Sequence, residues 1–333
     1  MFDLAFIWAG LIAFSVMVYV ILDGFDLGVG ILFPFLGGRE NRNTAMNTIA
    51  PIWDGNETWL VLGGGGLFAV FPLAYAIVMP ALYPLIIAML LGLIFRGVAF
   101  EFVHRSRNRK WFWEVGFFGG SLVAAIAQGL ALGALVQGIA VDGRAYGGGN
   151  WDWATPFSAL TALALVVAYA AHGAAWLILK TETDLRAKAR KMALPLGAGF
   201  LIVIGVVSAV TPILRPEFAD RWFDWPMAAF SGIVPVLIVL MAVLFWRGIS
   251  RERDAWPFIA TLVMFILSFI GLGISFYPNI VPPNLTISDA AAPDISLQFL
   301  LTGTLVLVPM ILAYTFYSYW VFRGKVRAED GYH

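Results

Sequence analysis

The residues most able to do chemistry are acids in apolar surroundings. Asp23 and Asp26 stand in Ile21-Leu22-Asp23-Gly24-Phe25-Asp26-Leu27-Gly28-Val29-Gly30, and Asp54 and Glu57 stand in Pro51-Ile52-Trp53-Asp54-Gly55-Asn56-Glu57-Thr58-Trp59. Each pair has i,i+3 spacing, which on a helix puts both carboxylates on one face. Arg96 is the one basic residue inside an apolar run, and Glu101 follows it closely. Placing an ionised side chain at mid-membrane costs roughly 2.5–3.5 kcal/mol on insertion scales, so residues of this kind are retained for a purpose and are paired. Asp23, Asp26, Asp54, Glu57, Arg96 and Glu101 are therefore expected to gather in one polar cluster. Four or five carboxylates facing one guanidinium cannot all stay ionised at close range, and such a group is suited to passing protons. A plainer alternative stays open. Asp54 and Glu57 could form a capping box at a helix start, and Asp23 and Asp26 could cap a second helical piece after a break at Gly24.

The elements that would hold this cluster are membrane helices. Of 333 residues, 60% are hydrophobic and 13% charged, far from the roughly 45–50% and 25% of soluble domains. Apolar runs long enough to cross a bilayer lie at about 4–23, 57–75, 79–101, 115–139, 155–179, 193–213, 227–246, 257–277 and 297–322. Pro72, Pro80 and Pro84 punctuate the second and third runs, which predicts a turn near Ala76. If those two runs were one helix, eight spans would remain. Nine spans put 17 of the 21 Lys and Arg on one side, with Arg144, Arg215 and Arg221 opposite and Arg96 inside a span. Basic loops favour the cytoplasm, so the N-terminus is expected outside and the C-terminus inside. The first acidic pair then ends span one, the second begins span two, and Arg96 returns to the same depth.

Other classes are excluded. Basic and acidic residues balance at 21 each, which argues against nucleic acid as a partner. No cysteine is present, so thiolate metal sites and iron–sulfur clusters are out, and no metal site is expected. No basic residue precedes the first apolar run, so it reads as a retained span rather than a signal peptide. Of three histidines, His104 is in a basic loop, His333 is the last residue, and only His172 lies in a span. That is too few for bis-histidine haem ligation plus an oxygen-reducing centre, and His172 reads as a hydrogen-bonded structural residue. Gly63-Gly64-Gly65-Gly66 lacks the following Lys-Ser/Thr of a phosphate loop and reads as close helix packing, with contact to a flat ligand as the alternative. Asn150-Trp151-Asp152-Trp153 and Arg221-Trp222-Phe223-Asp224-Trp225 read as outer interfacial anchors. The loop 278–296, rich in Pro, Asn and Asp, is expected on the surface. Residues 1–333 read as a single integral membrane domain.

The segments Leu22-Asp23-Gly24-Phe25-Asp26-Leu27-Gly28-Val29-Gly30 and Trp53-Asp54-Gly55-Asn56-Glu57-Thr58-Trp59-Leu60 resemble subunit II of cytochrome bd-type quinol oxidases. Phe95-Arg96-Gly97-Val98-Ala99-Phe100-Glu101-Phe102, Ala171-His172-Gly173-Ala174-Ala175-Trp176 and Tyr319-Trp320-Val321-Phe322-Arg323-Gly324-Lys325-Val326 agree in family order, so the resemblance spans the chain. The short length and loops are similar to those of the cyanide-insensitive branch. The resemblance implies an all-α fold of nine transmembrane helices, arranged as two four-helix bundles plus one peripheral helix. It implies a haem-free chain in the bacterial inner membrane, paired with a subunit I that carries haems b558, b595 and d and the quinol site. A quinone bound as a lipid-like structural cofactor and a small single-span third subunit go with it. Subunit II would help conduct protons from the cytoplasm. By motif match Asp54 carries that role, with Asp23 and Asp26 beside it; Glu57 and the counter-ion Arg96 rest on the depth reasoning alone. Two rivals remain: a proton-coupled secondary transporter, and a scaffold in which the acids only cap helices.

Overall fold

The computed structural model describes residues 3–106 and 110–326. Arg107, Arg109 and Arg327, which entered the charge count, and His333 lie outside the described residues. The described residues form twelve α-helices, a short 3-10 turn at Phe33–Phe35 and two short hairpins. The helices are α1 (Leu4–Leu32), α2 (Arg39–Ile49), α3 (Trp53–Val70), α4 (Pro72–Arg105), α5 (Lys110–Gln137), α6 (Pro156–Lys180), α7 (Thr183–Leu214), α8 (Pro216–Phe223), α9 (Met227–Ser250), α10 (Ala255–Phe276), α11 (Ile287–Ala290) and α12 (Asp294–Val321). Antiparallel β1 (Val141–Asp142) and β2 (Ala145–Tyr146) form one hairpin, β3 (Asn279–Val281) and β4 (Leu285–Thr286) the other.

Among the described residues, eight helices are long and apolar enough to cross a membrane. The ninth expected span corresponds to α3, which falls short on apolar length: it has 18 residues, a polar first turn and a half, and four glycines. The turn expected near Ala76 is not there. The chain breaks at Phe71, and α4 then runs unbroken through Pro80 and Pro84 to Arg105. Pro72 explains the break, because its fixed φ and missing N–H suit the first position of a new helix. Pro80 and Pro84 free only single backbone carbonyls, which membrane helices tolerate.

The helix α1 opens at Asp3, whose carboxylate accepts from the Ala5 amide at 3.0 Å, and continues through Gly24 without interruption. Asp23 and Asp26 therefore lie inside a helix and cap nothing. Glycine lets α1 meet α6 closely. A Cβ at Gly28 would collide with the Tyr169 carbonyl and one at Gly173 with the Gly28 backbone, while a Cβ at Gly24 would lie 2.7 Å from the Tyr169 ring. This small-residue contact, with Ala170, Ala171, Ala174 and Ala175 around it, makes α6 the most deeply buried of the long helices. Around that pair, α5 packs on α1, α4 and α6, while α10 packs on α6 and α9. Within Gly63–Gly66 only two glycines serve packing: Gly63 faces Val16 and Gly66 faces Ile12, whereas Gly64 and Gly65 face open space.

The segment 278–296 differs from the expected surface loop. Its hairpin and α11 bury Val281, Leu285, Ile287 and Ala290 against Trp8, Val70 and Phe71, and the Ala292 amide donates to the Val70 carbonyl at 2.8 Å. Asn and Pro there shape turns around a plug of apolar side chains. At the other end, residues after α12 are strapped down. Lys180 Nζ donates to the carbonyls of Phe322 and Gly324, and the Val326 amide returns a bond to the Lys180 carbonyl at 2.8 Å. Lys325, Arg186 and Arg190 converge on Asp254 at 2.7, 2.7 and 3.0 Å. Burial pushes the Asp254 carboxyl up, but the bonds from Lys325 and Arg186 prevail and hold it below the ordinary carboxylate range.

Candidate functional site

The cluster is built where α1, α3 and α4 meet. Its centre is Arg96, fully buried on α4. The helix reaches that position because α4 and α5 touch through Gly92 and Gly120; a Cβ at Gly120 would strike the Gly92 carbonyl and lie 3.0 Å from the Arg96 amide. Gly97 makes room for the Trp53 ring, which stacks on Phe100 with centroids 5.1 Å apart, and the guanidinium lies 5.9 Å from the Phe100 centroid.

From there Arg96 Nη1 donates to Asp23 Oδ1 at 2.7 Å and to Glu57 Oε1 at 3.0 Å, and Nη2 stands 3.7 Å from Asp26 Oδ2. The Asp23 and Asp26 side chains are 0% exposed and Glu57 is 22% exposed. Three carboxylates thus share one guanidinium. Asn56 completes the group: its amide donates to Asp26 Oδ2 at 2.7 Å and to the Leu22 carbonyl at 3.3 Å, and its oxygen accepts from the Tyr319 hydroxyl at 2.9 Å. A hydrogen-bonded row runs beyond one turn of α1, where Gln128 donates to Tyr19 at 2.8 Å and accepts from Tyr169 at 2.7 Å.

The structure brings together Asp23, Asp26, Glu57 and Arg96, as expected. Two residues stand apart. Asp54 is exposed in the chain, on the first turn of α3, and makes no bond to Arg96. Glu101 is on the surface, paired with Arg105 at 3.4 Å, because it lies more than a turn beyond Arg96 on α4. The capping alternative fails here too. Ile52 is the N-cap of α3, without a side-chain bond, and Glu57 points to Arg96. Asn56, Tyr319 and the Tyr19–Gln128–Tyr169 row were missed. Their signal was available: uncharged polar residues within apolar helices obey the same pairing rule as charged ones.

A haem does not fit His172. Its Nδ1 is within 2.7 Å of Thr261 Oγ1, and its ring stacks on Phe258 at 4.9 Å with Phe25 edge-on at 5.7 Å. The imidazole is a fully buried packing residue. Among the described residues no group of three or more His, Cys, Asp or Glu is placed to hold a metal ion.

Long apolar helices around an internal ion cluster define a polytopic α-helical membrane protein. The profile of the family "Cytochrome bd terminal oxidase subunit II" matches residues 4–322. The chain belongs to that family. It is similar to cytochrome bd-I ubiquinol oxidase subunit 2 of Escherichia coli (strain K12), with 30% identity covering 98% of this chain and 96% of the relative. It is likewise similar to cytochrome bd ubiquinol oxidase subunit 2 of Bacillus subtilis (strain 168), with 31% identity covering 97% of each. A chain of the bd oxidase structure from Geobacillus thermodenitrificans has the same fold, with a TM-score of 0.78 and 18% identity over 96% of this chain and 98% of that one.

Proposed function

We propose that this chain is the haem-free subunit II of a quinol:oxygen oxidoreductase in an aerobic respiratory chain. It partners a subunit I that holds haems b558, b595 and d and oxidises quinol; these groups supply the electron transfer and oxygen reduction. Structural quinone, lipid and a small single-span third subunit belong to the same proposed assembly. The chain lies in the bacterial inner membrane as one domain, N-terminus periplasmic and C-terminus cytoplasmic. In this reading α3 is the ninth span, and the helices form two four-helix bundles plus one peripheral helix. The α3 count is supported by the way it runs antiparallel along α1, from Asn56 against Leu22 and Asp26 to Gly66 against Ile12.

The chain's own chemical contribution is to carry protons toward the oxygen-reducing partner. The observation behind this is a gradient of exposure along acids of α3 and α1: Asp54 exposed, Glu57 22% exposed, Asp23 and Asp26 0% exposed. Asp54 and Glu57 share a helix face with Cβ atoms about 5–6 Å apart, a gap one water bridges. Asp54 takes a proton from the aqueous side and Glu57 receives it. Arg96 keeps enough positive charge among three carboxylates for the shared proton to stay exchangeable. A proton-coupled carrier is the weaker alternative, since carriers place such acids at the midplane between repeats.

The test is Asp54→Asn and Glu57→Gln in the assembled oxidase. Quinol-driven oxygen consumption and proton uptake are expected to fall about 10²-fold, the scale of losing a positioned proton-transfer group, with haem content intact. Normal turnover in both variants refutes the relay.

A further inference from the structure

The exposed Asp54 is one way to the cluster; the other side of the α3 first turn holds a second feature. Between α3 and α12 lies a cleft of about 20 Å³, enough for one water, lined by Gly55, Asn56, Tyr314, Thr315, Ser318 and Tyr319. Thr315, Ser318 and Tyr319 are spaced i, i+3, i+4, so their hydroxyls share one face of α12. That polar face is turned to α3, on a helix whose other large side chains are predominantly apolar and exposed. At the bottom of the cleft stands Asn56, 1% exposed, tied to Tyr319 on one side and to Asp26 on the other.

This link is ordered but does not conduct. A hydroxyl donates to the amide oxygen and the amide N–H donates to the carboxylate; an amide neither takes up nor releases a proton readily in between. For a proton to pass, Asn56 has to swing away from Asp26, which first requires release of its Tyr319 bond. The wall that has to yield is α12. Within this chain, Leu297 at its far end is the one residue of α12 that is buried.

We infer that Tyr319 and Asn56 form a gate between α12 and α3 that controls water access to Asp26 from a second side of the cluster. The inference rests on the relay reading and adds a positioning pair and an entry to it. Opening breaks the Tyr319–Asn56 bond and then the Asn56 bonds to Asp26 and the Leu22 carbonyl, admits a water from the cleft to Asp26, and closes again behind it. The pair acts by holding or releasing Asn56, and protons travel on water and carboxylate.

Hydrogen–deuterium exchange of the cluster's carboxyl stretching band, followed by infrared spectroscopy of the intact oxidase in D₂O, reads this access without turnover. Asp26→Asn and Glu57→Gln assign the band. A Cβ at Gly55 would meet only Tyr314, at 3.9 Å, so Gly55→Ala is expected to exchange like the wild type. Gly55→Leu fills the one-water passage and is expected to slow exchange on the order of tenfold. Tyr319→Phe keeps the ring and unlatches Asn56; exchange is expected to quicken about threefold to tenfold, the ratio one ordinary hydrogen bond holds shut. Unchanged exchange in both Gly55→Leu and Tyr319→Phe, with proton uptake impaired in Asp26→Asn, overturns the gate and leaves the relay standing. Normal uptake in Asp26→Asn overturns the relay and the gate with it. Haem content reports assembly in every variant.

Discussion

Replacing Arg96 with methionine removes the guanidinium that faces three carboxylates while keeping most of the side-chain volume. Two charge-assisted hydrogen bonds go, to Asp23 at 2.7 Å and Glu57 at 3.0 Å, together with the ion pair to Asp26 at 3.7 Å. Bonds to charged groups contribute roughly 1.5–3 kcal/mol each, so two amount to about 3–6 kcal/mol. Stripping one partner from a buried ion pair costs about 3–5 kcal/mol, which agrees. The carboxylates limit the damage by binding protons, and the expected destabilisation is therefore about 3–5 kcal/mol. Asp26→Asn should behave oppositely. The new amide oxygen still accepts from Asn56, and one negative charge leaves a group that has an excess of them, so the change stays within about 1 kcal/mol. Arg96→Lys falls between, because a single ammonium cannot span the same carboxylates as a planar fork. Denaturant unfolding of the purified complex in detergent gives the order. If Arg96→Met costs less than Asp26→Asn, the cluster is not held by its guanidinium and the charge reasoning is wrong.

Gly28→Ala and Gly173→Ala are expected to lose assembled complex, since each methyl lands on backbone of the facing helix and overpacking of this kind costs about 1–3 kcal/mol or more; Gly64→Ala, facing open space, should assemble at wild-type yield in membranes. The Asp254 hub gives a pH dependence. Its carboxyl is held below the ordinary range, so its stabilisation is complete above about pH 4 and is lost as pH falls through the lower folded value. Asp254→Asn should release the strap at 322–326 at neutral pH, read as faster proteolytic clipping after α12, and should abolish the acid-induced part of that release.

Much of the site was readable from residue type and depth. Asp23, Asp26, Glu57 and Arg96 could be placed together because charges in apolar helices must pair, and alternating helix directions bring them to one level. Asp54 stands apart from the guanidinium because it lies nearly a turn before Glu57, at the exposed start of α3. Glu101 failed on a matter of five residues, more than one helical turn, which carried it past the cluster to the surface. Three prolines in one stretch could not be ranked from sequence. Only Pro72 sits where a helix starts, and the packing of α4 on α5 carries the helix through the other two. The apolar residues hidden in 278–296 were masked by turn residues around them.

The helix α12 is tied to other helices by a side-chain hydrogen bond near each end. Trp8 Nε1 donates to the Leu297 carbonyl at 3.1 Å at one end, and Tyr319 bonds Asn56 at the other. These contacts bridge 289 and 263 positions of chain. During synthesis at about 5–20 residues per second, Asn56 waits on the order of 10–50 s for Tyr319 to be made. Throughout that interval the α3 side of the acidic cluster lacks its contact with α12. Synthesis of α12, which follows that of the other described helices, is thus what supplies the Tyr319 contact to Asn56.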